Sequence, residues 1–398
     1  MNILLLTRLY KIKGRETLER NTKAIHYLIK YWNEQPNVHV RVVNTYLNPG
    51  RNIAFLFKKG ELSNYKNDYE YEVDGVPVYM TEVQQIPFQS HLWKFQNQKM
   101  VRAVNCVIEK YDFQPDVVIA HFPVRYALMV DKINCSCPKI AVAHTTDTRI
   151  SRQNPKFWVN KISEGFSRVY CRSRSIQRQC VELGYKNVSE FIISSGVPQA
   201  DAVRTKKITA LQGRKIELLY VGKLIKRKHA EYVIQALNQL KDKVNFNFNI
   251  VGVGPEDAAL KQLTEKYGLT DRIHFAGSVA RDKVYSYMSK ADIFIMPSIE
   301  ETLGLVYLEA MMHGCLTVGT ENEGIDGIIE DGKNGFLVKP QSEESVLSVL
   351  EKILKLNDQE VADISAKAVE TAKYYNEKDM SLRYLDEVKR IVGGNDLK

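Results

Sequence analysis

The strongest constraint on the fold is a regular alternation of short apolar runs with segments of helical periodicity. In the first half of the chain the apolar runs lie at 2–6, 38–43, 117–120, 140–143 and 169–170. In the second half they lie at 218–221, 246–251, 274–275, 293–296, 316–319 and 336–338. Buried parallel strands joined by helical crossovers produce such a pattern. The sequence therefore predicts an α/β protein in which βαβ organisation occurs twice.

The length of the chain favours two domains. At 398 residues with 44% hydrophobic content, the chain exceeds the size at which a single hydrophobic core usually splits. A polar stretch at 199–207 follows the turn at 194–198 and precedes a new strand. We therefore predict domains at 1–200 and 201–376, with a final helical pattern at about 377–398 after a break near Asn376.

Two carboxylates, Glu301 and Glu309, lie eight positions apart where a strand leads into a helix. The helical spacing predicts a helix that starts near Thr302, which would put Glu309 roughly 12 Å from Glu301 along the axis. That separation suits the two ends of a nucleotide-sugar, and the first-turn N–H groups would accept its diphosphate. The residues that carry these N–H groups are Thr302, Leu303, Gly304 and Leu305. Taken singly, Glu301 could be an ordinary first-turn acid and Glu309 a solvated residue.

The segment 297–314 resembles the E-x7-E signature of retaining GT-B glycosyltransferases, in particular the nucleotide-sugar-dependent family 4. The resemblance implies a GT-B architecture of two Rossmann-like, doubly wound domains that face a central cleft. It also implies that the C-terminal helix crosses back to the first domain. In this family the first domain binds the acceptor and the second binds the nucleotide-sugar.

A second similar element begins at the strand 219–222 and continues to Lys228. Lys223 stands where the family has Arg, and His229 stands where Gly is usual. Two cations just after a strand can neutralise a leaving diphosphate, so the resemblance implies donor binding by Lys223 and Lys228. A Lys-Arg-Lys run at 226–228 is otherwise typical of a solvated face, and Lys lacks the bidentate fork of Arg.

Three further positions are implied in donor binding by the resemblance. Gly254 lies in a glycine turn after a strand, Val279 lies in the loop expected to bracket the base, and Gly14 lies in the N-terminal loop. The family has paired glycines in that loop, whereas this chain has only Gly14. A lone G-x-G, as at 252–254, also occurs in tight turns that bind no ligand.

His144 lies at the end of the strand 140–143. An imidazole at the carboxyl end of a parallel strand can hydrogen-bond a sugar hydroxyl and shape an oxocarbenium-like transition state, and the family has a histidine at the matching place. The alternative is a satisfied core histidine. His121 is a second strand-end histidine and another candidate.

The positive charge is confined to the first half. Residues 1–200 hold 28 Lys and Arg against 17 Asp and Glu, a net +11, and residues 201–398 hold 28 against 30, a net −2, which together give +9. A basic acceptor domain implies an anionic partner, such as a bilayer surface, a lipid diphosphate or an acidic glycan. The segments 51–59 and 88–102 mix apolar and basic residues as interfacial segments do, although core-facing helices with solvated lysines would look the same.

A second basic cluster lies between 149 and 178. Its members are Arg149, Arg152, Lys156, Lys161, Arg168, Arg172, Arg174 and Arg178. Such a patch could attract nucleic acid, but no nucleic-acid-binding module is recognisable. We therefore expect no nucleic-acid partner.

Cysteine usage and hydropathy bear on the compartment. The six cysteines include one C-x-C and no zinc-ligand spacing, which favours reduced thiols in a cytosolic protein. The first residues read as a strand, and no run approaches the roughly 20 apolar residues of a membrane span. The sequence predicts a cytoplasmic protein or one peripheral to the inner face of the plasma membrane.

The resemblance implies a retaining, metal-independent glycosyltransferase. It would move a sugar from a nucleotide-diphosphate sugar, UDP-sugar being favoured over GDP-sugar, to a glycan or lipid-linked acceptor in bacterial cell-surface polysaccharide or glycolipid synthesis. His144, Glu301 and Lys228 are the expected catalytic residues, and neither a metal nor a cofactor is expected because no Asp-x-Asp is placed to hold diphosphate. The family mechanism is a same-face displacement in which the donor phosphate takes the acceptor proton. A GT-B-fold nucleotide-sugar epimerase and a non-catalytic nucleotide-sugar-binding subunit remain alternatives.

Overall fold

A computed structural model describes residues 1–12, 25–49, 68–85, 93–198 and 211–394. The chain divides into two compact units. The first unit comprises Met1–Arg172, Ile176–Ser195 and Lys378–Lys398, and the second comprises Ser173–Ser175 and Gly196–Glu377. The chain therefore passes from the first unit to the second near residue 195 and returns near residue 377.

The first unit is built on an eight-stranded sheet with the order β3-β4-β2-β1-β5-β6-β7-β8. The strands are β1 (Asn2–Thr7), β2 (His39–Pro49), β3 (Tyr69–Val73), β4 (Val76–Gln85), β5 (Val117–His121), β6 (Lys139–Ala143), β7 (Arg168–Cys171) and β8 (Val188–Ile192). Strand β3 is antiparallel to β4, and the other pairs are parallel. Strand β1 is central, with Leu4 paired to Arg41 of β2 and to Val118 of β5.

Helices cover both faces of this sheet. They are His26–Ile29, Trp93–Lys110, Pro123–Tyr126, Thr145–Ser151, Pro155–Gly165, Arg174–Glu182 and Glu377–Val392, with a 3-10 turn at Val130–Lys132. The C-terminal helix Glu377–Val392 packs in the first unit, where Leu385 and Val388 join the core formed by Ile3 and Leu5 of β1. This placement agrees with the predicted crossing back.

The second unit is built on a six-stranded parallel sheet with the order β11-β10-β9-β12-β13-β14. The strands are β9 (Ile216–Val221), β10 (Phe246–Val251), β11 (Ile273–Gly277), β12 (Ile293–Ile295), β13 (Leu316–Thr320) and β14 (Phe336–Val338). The helices are Ala230–Leu240, Asp257–Lys266, Arg281–Lys290, Leu305–Met312, Glu343–Leu354 and Asp358–Tyr374, with a 3-10 turn at Lys226–Lys228. Since the strands are parallel, their carboxyl-end loops meet at one edge, where ligands bind in such sheets.

The predicted α/β class with two largely parallel sheets is confirmed, but three strands were missed. These are β3, β4 and β8. Strand β3 reads Tyr-Glu-Tyr-Glu-Val and alternates partly buried with exposed residues, as expected of an antiparallel edge strand with one solvated face. A search for continuous apolar runs passes over such a segment.

Arg172, which the sequence analysis assigned to the second basic cluster, does not belong to a surface patch. Arg172 is buried and donates to the carbonyl oxygen of Ile193 at 2.6 Å and to the hydroxyl of Ser195. It follows β7 directly, and its hydrogen bonds hold the segment after β8. Arg172 is therefore a structural cation and not part of a surface patch.

The segments tied to membrane association are only partly described. Residues 51–59 and 88–92 lie outside the described residues, and the segment is described from Trp93 onward as a helix. Among the described helices, none combines the length and apolarity that a membrane crossing needs. All six cysteines are unbonded thiols, and Cys171, Cys180 and Cys315 are buried.

Candidate functional site

The loops that follow β9, β10 and β11 pack backbone against backbone. The N–H of Gly222 donates to Val251 at 2.9 Å, and the N–H of Gly252 donates to Gly277 at 2.8 Å. A Cβ atom on Gly254 would lie 2.1 Å from the carbonyl oxygen of Leu224, so only glycine fits there. In this structure Gly254 thus fixes the loop that carries Lys223 and Lys228.

The helix after β12 begins at Leu305, and the predicted start near Thr302 is wrong. Gly304 is the N-cap and has φ +77°, a left-handed conformation that interrupts helical geometry. A Cβ there would lie 2.6 Å from the ring of Tyr307. Glu301 consequently lies in a loop four residues before the helix, and the predicted separation of 12 Å along one helix axis does not apply.

Glu301 is held by several charged and polar groups. Its Oε1 lies 2.5 Å from Nζ of Lys228 and 2.9 Å from Nη1 of Arg227, and it accepts a hydrogen bond of 2.9 Å from the Ser298 hydroxyl. Its backbone N–H donates to Oε2 of Glu323 at 2.9 Å. Burial is the largest single influence and opposes ionisation of Glu301, but the charge and hydrogen bond of Lys228, the charge of Arg227 and the hydrogen bond from Ser298 together outweigh it and keep the pKa below the usual value. Glu301 is therefore not an ordinary first-turn acid.

The Lys-Arg-Lys run is not a solvated face either. It forms the 3-10 turn Lys226–Lys228, which ends at His229 with φ +47°. This left-handed conformation accounts for the glycine that the family usually has there. Arg227 also donates to the carbonyl oxygen of Ile299 at 3.2 Å. Two of the three cations thus brace the loop of Glu301, whereas the side chain of Lys223 is exposed at the end of β9.

Glu309 lies on the helix Leu305–Met312 and is only 14% exposed. Its Oε1 accepts a hydrogen bond of 2.5 Å from Nη2 of Arg281. Nε of Arg281 donates to the hydroxyl of Tyr285 at 2.7 Å. Arg281 opens the helix Arg281–Lys290 two residues after Val279, so this pair brings the predicted base-binding loop and Glu309 together. Glu309 is not a solvated surface residue.

Sequence reasoning missed three residues of this region. Arg281 binds Glu309, Glu323 accepts the N–H of Glu301, and Gly324 lies against the backbone of Leu303, where a Cβ would approach to 2.6 Å. The signal for the latter two was the polar run at 321–324 directly after β13. Strand-end polar residues in a parallel sheet are candidates for a site even without a known motif.

The predicted anion-binding positions occupy the loop between Glu301 and the helix. Thr302 and Gly304 are half-buried, Leu303 is buried, and Leu305 is the first helical residue. The N–H groups of the first helical turn have no partner within the helix, and the helix dipole favours an anion beside them. Gly14 lies outside the described residues.

His144 lies at the end of β6 in the first unit and caps the helix Thr145–Ser151. It is buried, its Nε2 lies 3.1 Å from Nδ1 of His121, and its ring stacks on Phe122 at 3.9 Å. Nε2 of His121 lies 3.4 Å from the Tyr384 hydroxyl. Burial lowers the pKa of both histidines well below the usual value, so both imidazoles are neutral at pH 7.

Asp147 fixes the backbone around this histidine. Its carboxylate accepts the N–H of His144 at 2.9 Å and that of Val124 at 3.2 Å. Burial raises the pKa of Asp147 to about 7. Because both oxygens bind backbone N–H groups, Asp147 orients His144 and is not available as a nucleophile. Within the described ranges, no group of three or more His, Cys, Asp or Glu is arranged to hold a metal ion.

Comparison with known proteins finds similarity to glycosyltransferases. Residues 202–372 match the family model described as "Glycosyl transferases group 1". One relative is WcaL of Salmonella typhimurium, which is named as a colanic acid biosynthesis glycosyltransferase. The two are 30% identical over 173 residues, which are 42% of this chain and 43% of the relative. The chain thus spans less than half of that relative's length.

Solved structures match nearly the whole chain. Anabaena HepE in complex with UDP and glucose has a TM-score of 0.67 and 19% identity, over 98% of this chain and 99% of that one. Sucrose-phosphate synthase of Thermosynechococcus elongatus has a TM-score of 0.72 and 17% identity, over 99% of both chains. These likenesses show that the fold is GT-B.

Proposed function

We propose that this chain is a retaining glycosyltransferase that moves a sugar from a nucleotide-diphosphate sugar, with UDP as the favoured nucleotide, to a glycan or lipid-linked acceptor. The observation that carries the proposal is the arrangement of Glu301 and Glu309. Each is largely buried, each is bound by a cation, and they lie on either side of the start of one helix. The family match over residues 202–372 supports the same assignment.

In this proposal the second unit binds the donor. Glu309 holds the ribose hydroxyls, Val279 brackets the base through its backbone, and Glu301 contacts the transferred sugar. Lys223, Lys228 and the N–H groups from Thr302 to Leu305 hold the diphosphate. Glu309 already accepts a hydrogen bond from Arg281. Ribose hydroxyls would replace this donor on binding, so the carboxylate would keep a hydrogen-bond partner, and Glu309 therefore suits this role.

The chemistry follows from the charges. Departure of a nucleoside diphosphate develops negative charge, which preorganised ammonium and N–H groups stabilise without reorganisation. Glu301 is ion-paired and Asp147 is bound by two backbone N–H groups, so neither is placed as a free nucleophile. A same-face displacement, with the donor phosphate taking the acceptor proton, needs none. His144, as a neutral imidazole, would hydrogen-bond a sugar hydroxyl, and the reaction would need no metal.

The first unit would bind the acceptor. Its excess charge of +11 over residues 1–200 favours an anionic acceptor or an anionic membrane surface. The name of the Salmonella relative, which refers to colanic acid biosynthesis, supports a role in bacterial surface polysaccharide or glycolipid synthesis. We place the enzyme in the cytoplasm or on the inner face of the plasma membrane.

A nucleotide screen followed by a turnover assay tests the proposal. UDP, GDP and ADP are compared by thermal shift, since a ligand at 100 times its dissociation constant stabilises by about 2.7 kcal/mol. UDP-sugars are then incubated in EDTA with acceptor mixtures and free UDP is measured. Release of UDP with a glycosylated product supports the proposal. An epimeric UDP-sugar without UDP release, or binding without any turnover, would replace it with an epimerase or a non-catalytic subunit.

A further inference from the structure

A pair of thiols lies directly before β6 in the first unit. Only Ser136 separates Cys135 from Cys137, and the thiol of Cys137 donates a hydrogen bond to the sulfur of Cys135 at 3.0 Å. The two sulfur atoms of a disulfide are about 2 Å apart, so these sulfurs need to approach by only about 1 Å to bond. The proposed sugar transfer uses neither cysteine.

The segment that carries the pair is held at both ends. On one side, the N–H of Asn134 donates to Oδ1 of Asn105, on the helix Trp93–Lys110, at 3.0 Å. On the other side, the carbonyl oxygen of Pro138 accepts the N–H of Val118 in β5 at 3.0 Å. Because both neighbours are fixed by other elements, the thiols stay close together, and a bond between them costs little further chain freedom.

The pair is also accessible from solvent. Cys135 and Cys137 are partly exposed, whereas Cys171, Cys180 and Cys315 are buried. The thiols of Cys171 and Cys180 interact with each other as well, but both residues are fully buried. Since oxidation of a thiol requires access to the oxidant, a small oxidant in water reaches the first pair more readily than the second.

The two thiols of the accessible pair have different acidities. The hydrogen bond from Cys137 and the positive charge of Lys139 outweigh burial and lower the pKa of Cys135 to about 6. The same hydrogen bond, together with burial, raises the pKa of Cys137. The thiolate is the form that oxidants attack, so Cys135 is the more reactive sulfur and Cys137 is the neighbouring thiol that can resolve its oxidised form.

We propose that Cys135 and Cys137 are a peroxide-sensitive pair that forms a reversible disulfide within the chain. The Cys135 thiolate attacks one oxygen of hydrogen peroxide, the O–O bond breaks, and Cys135 becomes a sulfenic acid while the departing hydroxide takes a proton from solvent. Cys137 then attacks that sulfur, the S–S bond forms, and the sulfenic hydroxyl leaves as water with the proton of Cys137. Two thiols are thus oxidised by two electrons, and one peroxide is reduced to two water molecules. A dithiol reductant reverses the reaction by thiol–disulfide exchange.

This chemistry is separate from the proposed sugar transfer and does not rest on it. The pair precedes β6, and His144 follows β6, so the five residues Lys139–Ala143 lie between them. A strand of that length spans roughly 16 Å. In a reducing compartment such as the predicted cytoplasm, disulfides are usually transient and respond to oxidants. A reversible pair is consistent with that location.

Thiol counting and peptide mapping of the full chain test the proposal. The reduced protein is treated with hydrogen peroxide at pH 7 and low protein concentration, and the remaining thiols are alkylated after denaturation. The wild type should lose two of its six thiols. The peptide that contains both cysteines should become lighter by the mass of two hydrogen atoms, and dithiothreitol should restore it. Cys106→Ser removes another partly exposed thiol and should form the same disulfide at the same rate.

Single variants assign the two roles. Cys137→Ser keeps the reactive sulfur and lacks its partner, so dimedone should label Cys135 as a sulfenic acid. Cys135→Ser should react with peroxide at least about tenfold more slowly, because an ordinary thiol with a pKa of about 8.5 is mostly protonated at pH 7. Thermal melting of the reduced variants reports on their folding. The wild-type peptide map needs no variant, so a misfolded variant leaves the main test intact.

Other results would overturn the proposal. One is that the wild type keeps all its thiols at a peroxide concentration that oxidises an unstructured cysteine peptide. A second is a disulfide between Cys171 and Cys180, or one between two chains, which a non-reducing gel shows as a dimer. A rate in Cys135→Ser equal to that of the wild type would contradict the assignment of the first sulfur. Neither UDP binding nor turnover enters these measurements, so their failure would leave the proposed function untouched.

Discussion

The ammonium group of Lys228 lies 2.5 Å from Oε1 of Glu301, and each side chain is only 12% exposed. The pair joins the turn after β9 to the loop after β12, two segments more than 70 residues apart in the chain. Lys228 also lies 3.4 Å from the sulfur of Met296. The ion pair therefore fixes these two loops to each other at the carboxyl ends of β9 and β12.

Removal of either partner should destabilise the second unit. Lys228→Met and Glu301→Gln each leave a largely buried charge with fewer partners, which costs about 3 kcal/mol for buried pairs. The double variant should cost less than the sum of the two single variants. Lys226→Met, which removes the exposed cation of the same turn, should change stability by no more than about 0.5 kcal/mol. Urea unfolding of the four variants measures this, and additive losses would show that the two charges do not interact.

The same pair predicts a pH dependence. The folded-state pKa of Glu301 is depressed, so the unfolded chain takes up a proton at higher pH than the folded one. The stabilisation is therefore complete above the ordinary glutamate pKa of about 4.5 and is lost as pH falls through the lower folded value. The difference in unfolding free energy between the wild type and Glu301→Gln should shrink below pH 4.5. A difference that stays constant from pH 7 to pH 3 would contradict the depressed pKa.

The sequence predicted the two-sheet architecture because buried parallel strands leave continuous apolar runs. It missed β3 because an edge strand with one solvated face, such as Tyr69–Val73, leaves no such run. It placed the start of the helix Leu305–Met312 too early because Leu305, Leu308 and Met312 fix a helical face but not a helix start. The helix starts after Gly304 because Gly304 adopts a left-handed backbone conformation. A glycine can adopt this conformation but need not, so the sequence did not reveal the helix start.

Site residues could be predicted where they follow strands at a recognisable spacing. They could not be predicted where their role depends on a contact between residues far apart in the sequence. Glu301, Glu309 and Lys228 stand out by position after strands. Arg281 was missed because its partnership with Glu309 joins residues 28 positions apart, and the role of Arg227 was hidden in a run that resembles a solvated face. Long-range ion pairs depend on which strands are neighbours in the sheet. The strand order β11-β10-β9-β12 cannot be inferred from local sequence patterns, so these pairs could not be predicted.

His144→Ala should reduce turnover much more than donor affinity. The imidazole belongs to the first unit and the proposed donor-binding residues belong to the second, so in the proposed function its loss removes a contact made mainly in the transition state. Steady-state kinetics with UDP titration measures both quantities. His39→Ala, at an exposed position of the same unit, is the matched control and should behave as the wild type does. An equal loss of UDP affinity in His144→Ala would assign the histidine to the donor site.

The product should keep the anomeric configuration of the donor, and activity should survive EDTA. Both are expected of the proposed same-face displacement, in which side chains and N–H groups stabilise the leaving diphosphate. Proton NMR of the product resolves the anomer. An inverted product, or activity abolished by EDTA and restored by Mn²⁺, would refute this mechanism.

Binding to anionic vesicles should depend steeply on salt. Each lysine near an anionic surface contributes about 1 kcal/mol, screened over a Debye length of about 8 Å in physiological salt. Cosedimentation with anionic and neutral vesicles at low and high salt measures this. The variant Lys58→Glu with Lys59→Glu, in a segment outside the described residues, should bind less and transfer less sugar to a lipid-linked acceptor. If the protein binds neither vesicle type at low salt, the positive charge of residues 1–200 would be assigned to binding of a soluble acidic acceptor.

The most direct test of the donor site compares UDP binding and turnover in Glu309→Gln and Glu301→Gln by isothermal titration and a UDP-release assay. Glu309→Gln should weaken UDP binding by about tenfold or more, as expected for a lost hydrogen bond to a charged group. Glu301→Gln should retain UDP binding and lose turnover, because in the proposed function Glu301 contacts the transferred sugar and not the nucleotide. Glu256→Gln, on the loop after β10, is the control for a glutamate without an assigned role. Undiminished UDP affinity and turnover in both site variants would contradict the assignment.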